Sequence, residues 1–397
     1  MKALLRPAGR VASAAAGLFV ALLVVWTGFT QSLPAAREHG APVGADAPAY
    51  VRIARGLESG TLELPPPDRI DHDRQQRLAD PFGTPYALGR DGRLLPKHSV
   101  AFAALLLPGV ASGGYEGAVL VAILLGASLA GFVAARCAAA FGALPAIAAA
   151  SVLFVLTPGG RWIVTGVNID TVLAGAMVCA FALGSAGRPA ALGLLIGLSP
   201  LFRPTAVLLL LPAALALPPV HRRRALLRVA AGLLTGGAAT GLVNTWLWGA
   251  PWRTSYDRAL VFVDGASRLA PHSSEFGSSP LRGLVALLFD PGAGFLVLAP
   301  VAALAFAGYC LPAARRPEWV VATVSAALSL LLLAPYSFVQ AVPAGNYRFG
   351  FPLLVSAAPP LAALLAAGAR LLSPRPSAAE TAGASEGQAT AAIPPTE

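Results

Sequence analysis

The chain has 397 residues, of which 56% are hydrophobic and 12% charged, and its mean hydropathy is +0.67. Soluble domains carry about a quarter of charged residues, so this composition excludes an ordinary soluble domain and predicts a membrane protein. The net charge of +10 does not indicate nucleic-acid binding, because membrane proteins keep arginines in their cytoplasmic loops.

Apolar segments of membrane-crossing length recur along the chain. A spanning helix needs about 20 mostly apolar residues. The first such segment, 11–30, follows three basic residues and is too long for the apolar region of a usual signal peptide. We therefore predict an all-α membrane protein with about ten transmembrane helices. The nine later spans are expected at about 116–135, 143–158, 170–185, 189–202, 204–218, 228–248, 292–311, 318–336 and 350–371.

A polar first loop, about 33–98, separates the first span from the rest of the apolar chain. It holds nine of the nineteen acidic and nine of the twenty-nine basic residues. Short segments on the N-terminal side of the membrane hold thirteen basic residues, against seven on the other side. This imbalance predicts cytoplasmic termini and an extracytoplasmic first loop.

Smaller features complete the predicted organisation. The loop should carry a short amphipathic helix at 51–57, and 99–110 should form a short helix at the membrane interface. Residues 1–372 form the membrane domain, and 373–397, rich in Pro, Ala, Ser and Glu, form a disordered cytoplasmic tail. The three cysteines lack metal-ligand spacing, and we interpret them as small core residues.

Asp46 opens the helical part of the first loop, in the run Asp46-Ala-Pro-Ala-Tyr50. A carboxylate held near the membrane surface can act as general base on a hydroxyl. Asp is also a preferred helix N-cap, and Pro48 at an early helical position fits that interpretation too. The two interpretations are compatible.

Lys97 and His98 lie where the first loop returns to apolar sequence. The ammonium of Lys97 can hold a phosphate as a point charge, or its side chain can reach up to the lipid headgroups. His98 is a candidate for donating to the same phosphate or for ligating a metal.

Three further charged residues stand at the predicted outer ends of spans. Asp170 opens a span, as a functional group or as a helix cap. Arg203 lies in Phe202-Arg203-Pro204, and Arg348 follows Tyr347 in Gly345-Asn-Tyr-Arg-Phe-Gly350. Arginine suits a two-pronged grip on phosphate, so Lys97, Arg203 and Arg348 form a candidate cationic set.

In this order, the motifs resemble those of bacterial polytopic glycosyltransferases of the GT-C superfamily. The nearest likeness is to the PMT-like group, which includes protein O-mannosyltransferases and the lipid A aminoarabinose transferase. The matching segments are the run ending at Tyr50, the Asp91-Gly92-Arg93…Pro96-Lys97-His98 segment, the Gly-rich stretch 193–205 and the Tyr347-Arg348-Phe-Gly element. The likeness covers most of 10–370.

The resemblance implies an enzyme of the bacterial inner (cytoplasmic) membrane that moves a sugar, hexosyl or pentosyl, from a polyprenyl-phosphate donor. The acceptor would be a lipid, a polysaccharide or a protein. Asp46 would be the general base of an inverting transfer, and Lys97, Arg203 and Arg348 would hold the phosphate. Further substrate-binding candidates are Tyr50, His98, Asp170 and Tyr347.

The sequence also departs from that family. Asp46 is flanked by alanines where the family often has two acidic residues, and Pro96 stands where a second acidic residue would precede Lys97. These departures argue against a divalent metal, and no other cofactor is implied. A transporter or flippase of lipid-linked sugars and a non-catalytic membrane scaffold remain alternatives.

Overall fold

The computed structural model describes residues 7–39, 46–64, 86–219, 222–263, 266–270, 276–292, 294–336 and 346–372. Within these ranges the chain is predominantly helical, as predicted. The α-helices in chain order are α1 (Pro7–Thr27), α2 (Leu33–His39), α3 (Ala47–Glu58), α4 (Val100–Phe141), α5 (Ala143–Ser151), α6 (Pro158–Thr165), α7 (Ile169–Ser185), α8 (Pro189–Leu198), α9 (Ala206–Leu210), α10 (Arg222–Trp248), α11 (Pro280–Phe289), α12 (Phe295–Leu298), α13 (Pro300–Phe306), α14 (Pro317–Leu333), α15 (Phe351–Ser356) and α16 (Ala358–Leu372).

Shorter helical turns join several of these helices. Two π-helical turns, Gly28–Ser32 and Val152–Leu156, continue α1 and α5. The 3-10 turns are Ser199–Leu201, Leu211–Ala216, Ser255–Arg258, Ala307–Cys310, Pro312–Ala314 and Asn346–Gly350. Through its π turn the first helix runs on to His39, so the first loop begins later than residue 33.

Fewer helices reach membrane-crossing length than the ten predicted. In the described ranges three are long and apolar enough, Ala8–Glu38, Val100–Phe141 and Arg222–Trp248. The count rises to five if two pairs bent by 82° and 41° each form one span, and six shorter apolar helices accompany them. The 82° bend follows from Pro158, because a residue before proline avoids helical backbone angles and Thr157 is extended.

Helix α4 is two arms joined at a kink. Gly113 and Gly114 leave the helical region, Gly114 with a φ of +54° that favours glycine. The arms pack so closely that a Cβ added to Gly109 would lie 2.2 Å from the carbonyl oxygen of Gly117. The arms correspond to the predicted short segment 99–110 and the predicted span that follows it.

Glycines also bring α8 and α10 together. A Cβ on Gly193 would lie 2.0 Å from the Val229 carbonyl oxygen, and the Thr240 hydroxyl donates to the Gly197 carbonyl at 2.8 Å. The outer face of α10 is apolar yet uncovered, since Leu234, Leu242 and Trp246 are all more than half exposed. Such exposed apolar surface is typical of a helix that faces lipid or a partner.

Two small β-hairpins correct the all-α prediction. Strand β1 (Tyr86–Leu88) pairs antiparallel with β2 (Leu94–Pro96), and β3 (Leu260–Val263) pairs with β4 (Ala266–Leu269). Gly92, with a φ of +82°, lies in the turn of the first hairpin. The hairpins meet through a bridge from Ala87 to Ala259, so they join the first loop to the loop after α10.

Other predictions meet mixed outcomes. The amphipathic helix of the first loop is longer than predicted and begins at Ala47. Cys137 is buried, whereas Cys179 and Cys310 are exposed, so the core interpretation is wrong for those two. The predicted disordered tail, 373–397, and much of the first loop, 65–85, lie outside the described residues.

Candidate functional site

Asp46 occupies the N-cap position of α3 but makes no side-chain cap bond. Its carboxylate instead accepts a hydrogen bond from Nη1 of Arg348, 302 positions further along the chain, at 2.5 Å. The N-cap interpretation therefore holds for the backbone position and not for the side chain. The carboxylate faces a distant guanidinium.

Arg348 is buried in the 3-10 turn that precedes α15, with only 7% of its surface exposed. The Nη1 bond to Asp46 is charged at both ends and shorter than most N–H···O bonds. Among the described residues, Nε of Arg348 has no hydrogen-bond partner. The guanidinium thus has a buried donor, the Nε–H group, whose hydrogen-bonding capacity the described residues leave unused.

A second buried ion pair joins Arg203 to Asp170. Nη1 of Arg203 donates to Oδ1 of Asp170 at 2.8 Å, and the carboxylate side chain is 3% exposed. Asp170 lies in the first turn of α7, where Asn168 is the N-cap residue. Oδ2 of Asp170 has no partner within the described part of the chain. Removing either member would strand a buried charge, which typically costs about 3–5 kcal/mol.

Phe349 links the two ion pairs. Its ring lies 5.5 Å from the guanidinium carbon of Arg203 and 5.1 Å from that of Arg348. Both distances are within the range of a cation–π contact. Sequence reasoning did not single out this ring, although its position directly after Arg348 was the available signal.

Tyr50 and His98 lie beside the Asp46 pair. Their rings are 5.5 Å apart, and the Tyr50 ring meets Phe102 edge-on at 4.7 Å. Burial lowers the pKa of His98 to about 4, although the nearby negative charge of Asp46 raises it in part. Burial also raises the pKa of the Tyr50 hydroxyl above its usual value. Both side chains are therefore neutral at neutral pH.

Lys97 follows β2 and is 5% exposed, so its side chain does not extend to the surface as the headgroup interpretation required. Its backbone carbonyl accepts a hydrogen bond from the Ser255 hydroxyl at 2.6 Å. Its charge contributes to lowering the pKa of His98. A second tyrosine, Tyr256, is within electrostatic reach of Tyr50 and Arg203.

The charges around Asp46 determine its protonation. Burial alone raises the pKa of the carboxyl group, but the charge and the hydrogen bond of Arg348 outweigh it, and His98 adds to them when its imidazole is protonated. The pKa of Asp46 consequently falls well below its usual value. While paired with Arg348, the carboxylate is a weak base.

The structure thus brings together Asp46, Tyr50, Lys97, His98, Asp170, Arg203 and Arg348 from five separate stretches of the chain. The side chain of Tyr347, the remaining candidate, lies outside the described residues. No group of three or more His, Cys, Asp and Glu side chains able to hold a metal ion occurs in the ranges that are described.

Comparison of the chain with family models, with curated proteins and with solved structures finds no match.

Proposed function

We propose that the protein is a membrane glycosyltransferase that uses a sugar carried on a polyprenyl phosphate. One observation supports this above all: a candidate base, Asp46, lies against a buried cation, Arg348, in a chain that is otherwise mostly apolar. A reaction with a lipid phosphate leaving group needs both a proton acceptor and a cation for the phosphate.

In the proposed reaction the acceptor hydroxyl oxygen attacks the anomeric carbon of the sugar. The bond from that carbon to the phosphate oxygen breaks, and its electron pair leaves with the polyprenyl phosphate. Asp46 takes the hydroxyl proton. Arg348, Arg203 and Lys97 stabilise the charge that develops on the phosphate. Because a single displacement occurs, the configuration at the anomeric carbon is inverted.

The proposed location is the bacterial inner membrane, with cytoplasmic termini and the site on the outer side. The exposed apolar faces of α1 and α10 support membrane insertion, since Phe19, Leu22, Leu234 and Leu242 are all more than half exposed. In this proposal the shorter apolar helices combine with neighbouring turns, as α8 does with Ser199–Leu201, to give about ten spans.

A second candidate is a transporter or flippase of lipid-linked sugars. The two helix pairs broken at angles of 82° and 41° favour it, because transporters often build their substrate sites on interrupted helices. The buried Asp170–Arg203 pair also suits that class, in which intramembrane charges are functional.

The test replaces Asp46 by Asn in the full chain, reconstituted with polyprenyl-phosphate hexose and pentose donors and envelope acceptors. We expect sugar transfer to fall by about 100-fold or more, the usual contribution of general-base catalysis. Asp91→Asn is the matched control, since Asp91 lies in the same loop but pairs with Arg93 at the surface.

Unchanged transfer in Asp46→Asn, with the protein folded, would exclude the base assignment. Wild-type proteoliposomes that move lipid-linked sugars across the bilayer, without transferring sugar to any acceptor, would favour the transporter instead.

A further inference from the structure

We infer that Arg348 is shared between two anions in turn: the phosphate group of a polyprenyl-phosphate lipid replaces Asp46 on the guanidinium, so the ligand that binds also releases the carboxylate. The inference rests on the proposed function for the role of the released carboxylate. The exchange itself concerns binding alone.

Unequal exposure gives the exchange a direction. The Asp46 side chain is 21% exposed, whereas that of Arg348 is 8% exposed. An anion therefore reaches Arg348 from the side that Asp46 occupies. By contrast, the Asp170 side chain is 3% exposed, so the second pair is the harder one to open.

The donors of Arg348 suit a phosphate better than they suit the present partner. A single bond, from Nη1, joins Arg348 to Asp46, and within the described residues Nε has no hydrogen-bond acceptor. Arginine holds phosphate through two parallel bonds. A phosphate that takes the place of the carboxylate at Nη1 can also accept from Nη2, so it makes the two-pronged contact that the single bond to Asp46 lacks.

Phe349 and the second ion pair keep the cation in place during the exchange. The ring contacts both guanidiniums, at 5.1 and 5.5 Å, and Arg203 stays bound to Asp170. With Asp46 displaced, the remaining cluster of two arginines and one aspartate is net positive, and the nearby charge of Lys97 adds to it. This positive charge suits a phosphate anion, both the diester of the sugar donor and the monoester of polyprenyl phosphate.

Release changes the chemistry of Asp46. Its pKa is low because the charge and the hydrogen bond of Arg348 outweigh burial. Without the Arg348 bond, burial acts with less opposition and the pKa rises, which makes the carboxylate a better proton acceptor. Donor binding and base activation are thereby coupled through one guanidinium.

The experiment measures affinity for polyprenyl phosphate that carries no sugar, with the full chain in lipid nanodiscs. The variants are Asp46→Asn, Arg348→Gln, the double variant and Asp170→Asn, each checked for folding by its melting temperature. Removing the competing carboxylate should tighten phosphate binding by about tenfold in Asp46→Asn. The same substitution should change affinity less than twofold when Arg348 is already Gln.

Equal or weaker binding in folded Asp46→Asn overturns the inference. A larger gain in affinity for polyprenyl phosphate in Asp170→Asn than in Asp46→Asn also overturns it, because the phosphate would then replace Asp170 on Arg203. If a variant does not fold, carbodiimide labelling of the wild-type protein tests the same inference. Carbodiimide modifies protonated carboxyl groups, so polyprenyl phosphate should increase its labelling of Asp46, and a lack of increase is equally contrary.

The two proposals fail separately. If no sugar is transferred, the difference in phosphate affinity between Asp46→Asn and wild type is still expected. If transfer occurs but the affinities are the same, the enzyme stands and the exchange is wrong.

Discussion

Buried charge is the main residue-scale feature of this chain. Asp170 and Arg348 are each less than a tenth exposed, and each has a charged partner of opposite sign. A buried ion pair is weak evidence for stability, because desolvation offsets much of the attraction. Its presence at the ends of apolar helices is more readily understood as preparation for an ionic ligand.

His98 gives a prediction for stability against pH. Its folded pKa is about 4 and its usual value is 6.5, so the unfolded chain binds the proton more readily. Stability should fall as the pH falls from 6.5 towards 4, by about 2 kcal/mol at pH 5. His98→Gln has no imidazole to take up this proton, so it lacks this loss of stability. Its melting temperature should fall by a few degrees less than that of wild type between pH 7.5 and pH 5.

The environment of His98 makes that comparison specific. Asp46, Lys97, Arg203 and Arg348 are the charged groups that act on it, and Arg348 holds the pKa of Asp46 well below its usual value. Tyr50, the neighbouring ring, is neutral there. An equal fall in melting temperature for wild type and His98→Gln between pH 7.5 and pH 5 would contradict the buried, neutral state of the imidazole.

The sequence predicted the members of the cluster better than its connections. Asp46, Arg203 and Arg348 attract notice because charge is costly beside long apolar runs. Which carboxylate meets which arginine depends on how helices pack, and nothing local encodes a contact across 302 positions. Their proposed roles with a sugar phosphate stay predictions.

At the scale of elements, glycine faces allow a close contact between α8 and α10. A Cβ on Gly236 of α10 would lie 2.6 Å from the Leu194 carbonyl oxygen on α8, whereas one on Gly237 would meet nothing within 4 Å. Small residues allow such close approach between apolar helices. Of these adjacent glycines, Gly236 therefore has no room for a side chain, whereas Gly237 has.

Alanine substitutions distinguish the two glycines. Gly236→Ala should destabilise the protein by about 1–3 kcal/mol, because backbone atoms cannot give way as a side chain can. Gly237→Ala should be neutral or stabilising by up to about 1 kcal/mol, since alanine favours helix. Melting temperatures in detergent measure both. Equal effects would mean that α8 and α10 are further apart than described.

Hydropathy located the helices but not their interruptions. Each predicted span falls mainly on helical residues, because apolar composition alone marks them. The breaks depend on single residues such as Pro158 and Gly114, whose effect is decided by local backbone angles. The hairpin around Gly92 escaped prediction because three-residue strands carry too short a pattern.

For the whole molecule, the proposed topology puts the first hairpin and the arginines at the start of α10 on opposite sides of the membrane. Arg93, in that hairpin, and Arg223, in α10, are both exposed. Because basic residues concentrate on the cytoplasmic side, the Arg222–Arg224 cluster should face the cytoplasm.

Cysteine labelling measures this topology. In a chain with Cys137, Cys179 and Cys310 replaced, Arg93→Cys should react with a membrane-impermeant maleimide in intact spheroplasts. Arg223→Cys should react only after the membrane is permeabilised. The reverse pattern would place the candidate site in the cytoplasm, and labelling of both residues in intact spheroplasts would contradict the proposed span count between them.

The distance in sequence between Asp46 and Arg348 also has a consequence for biosynthesis. A ribosome adds about 5–20 residues per second, so the 302 positions between them take roughly 15–60 s to translate. During that interval the carboxylate has no Arg348 to bind and remains hydrated outside the apolar helices. The site closes only after Arg348 has been added, so a chain truncated before Arg348 cannot form the ion pair.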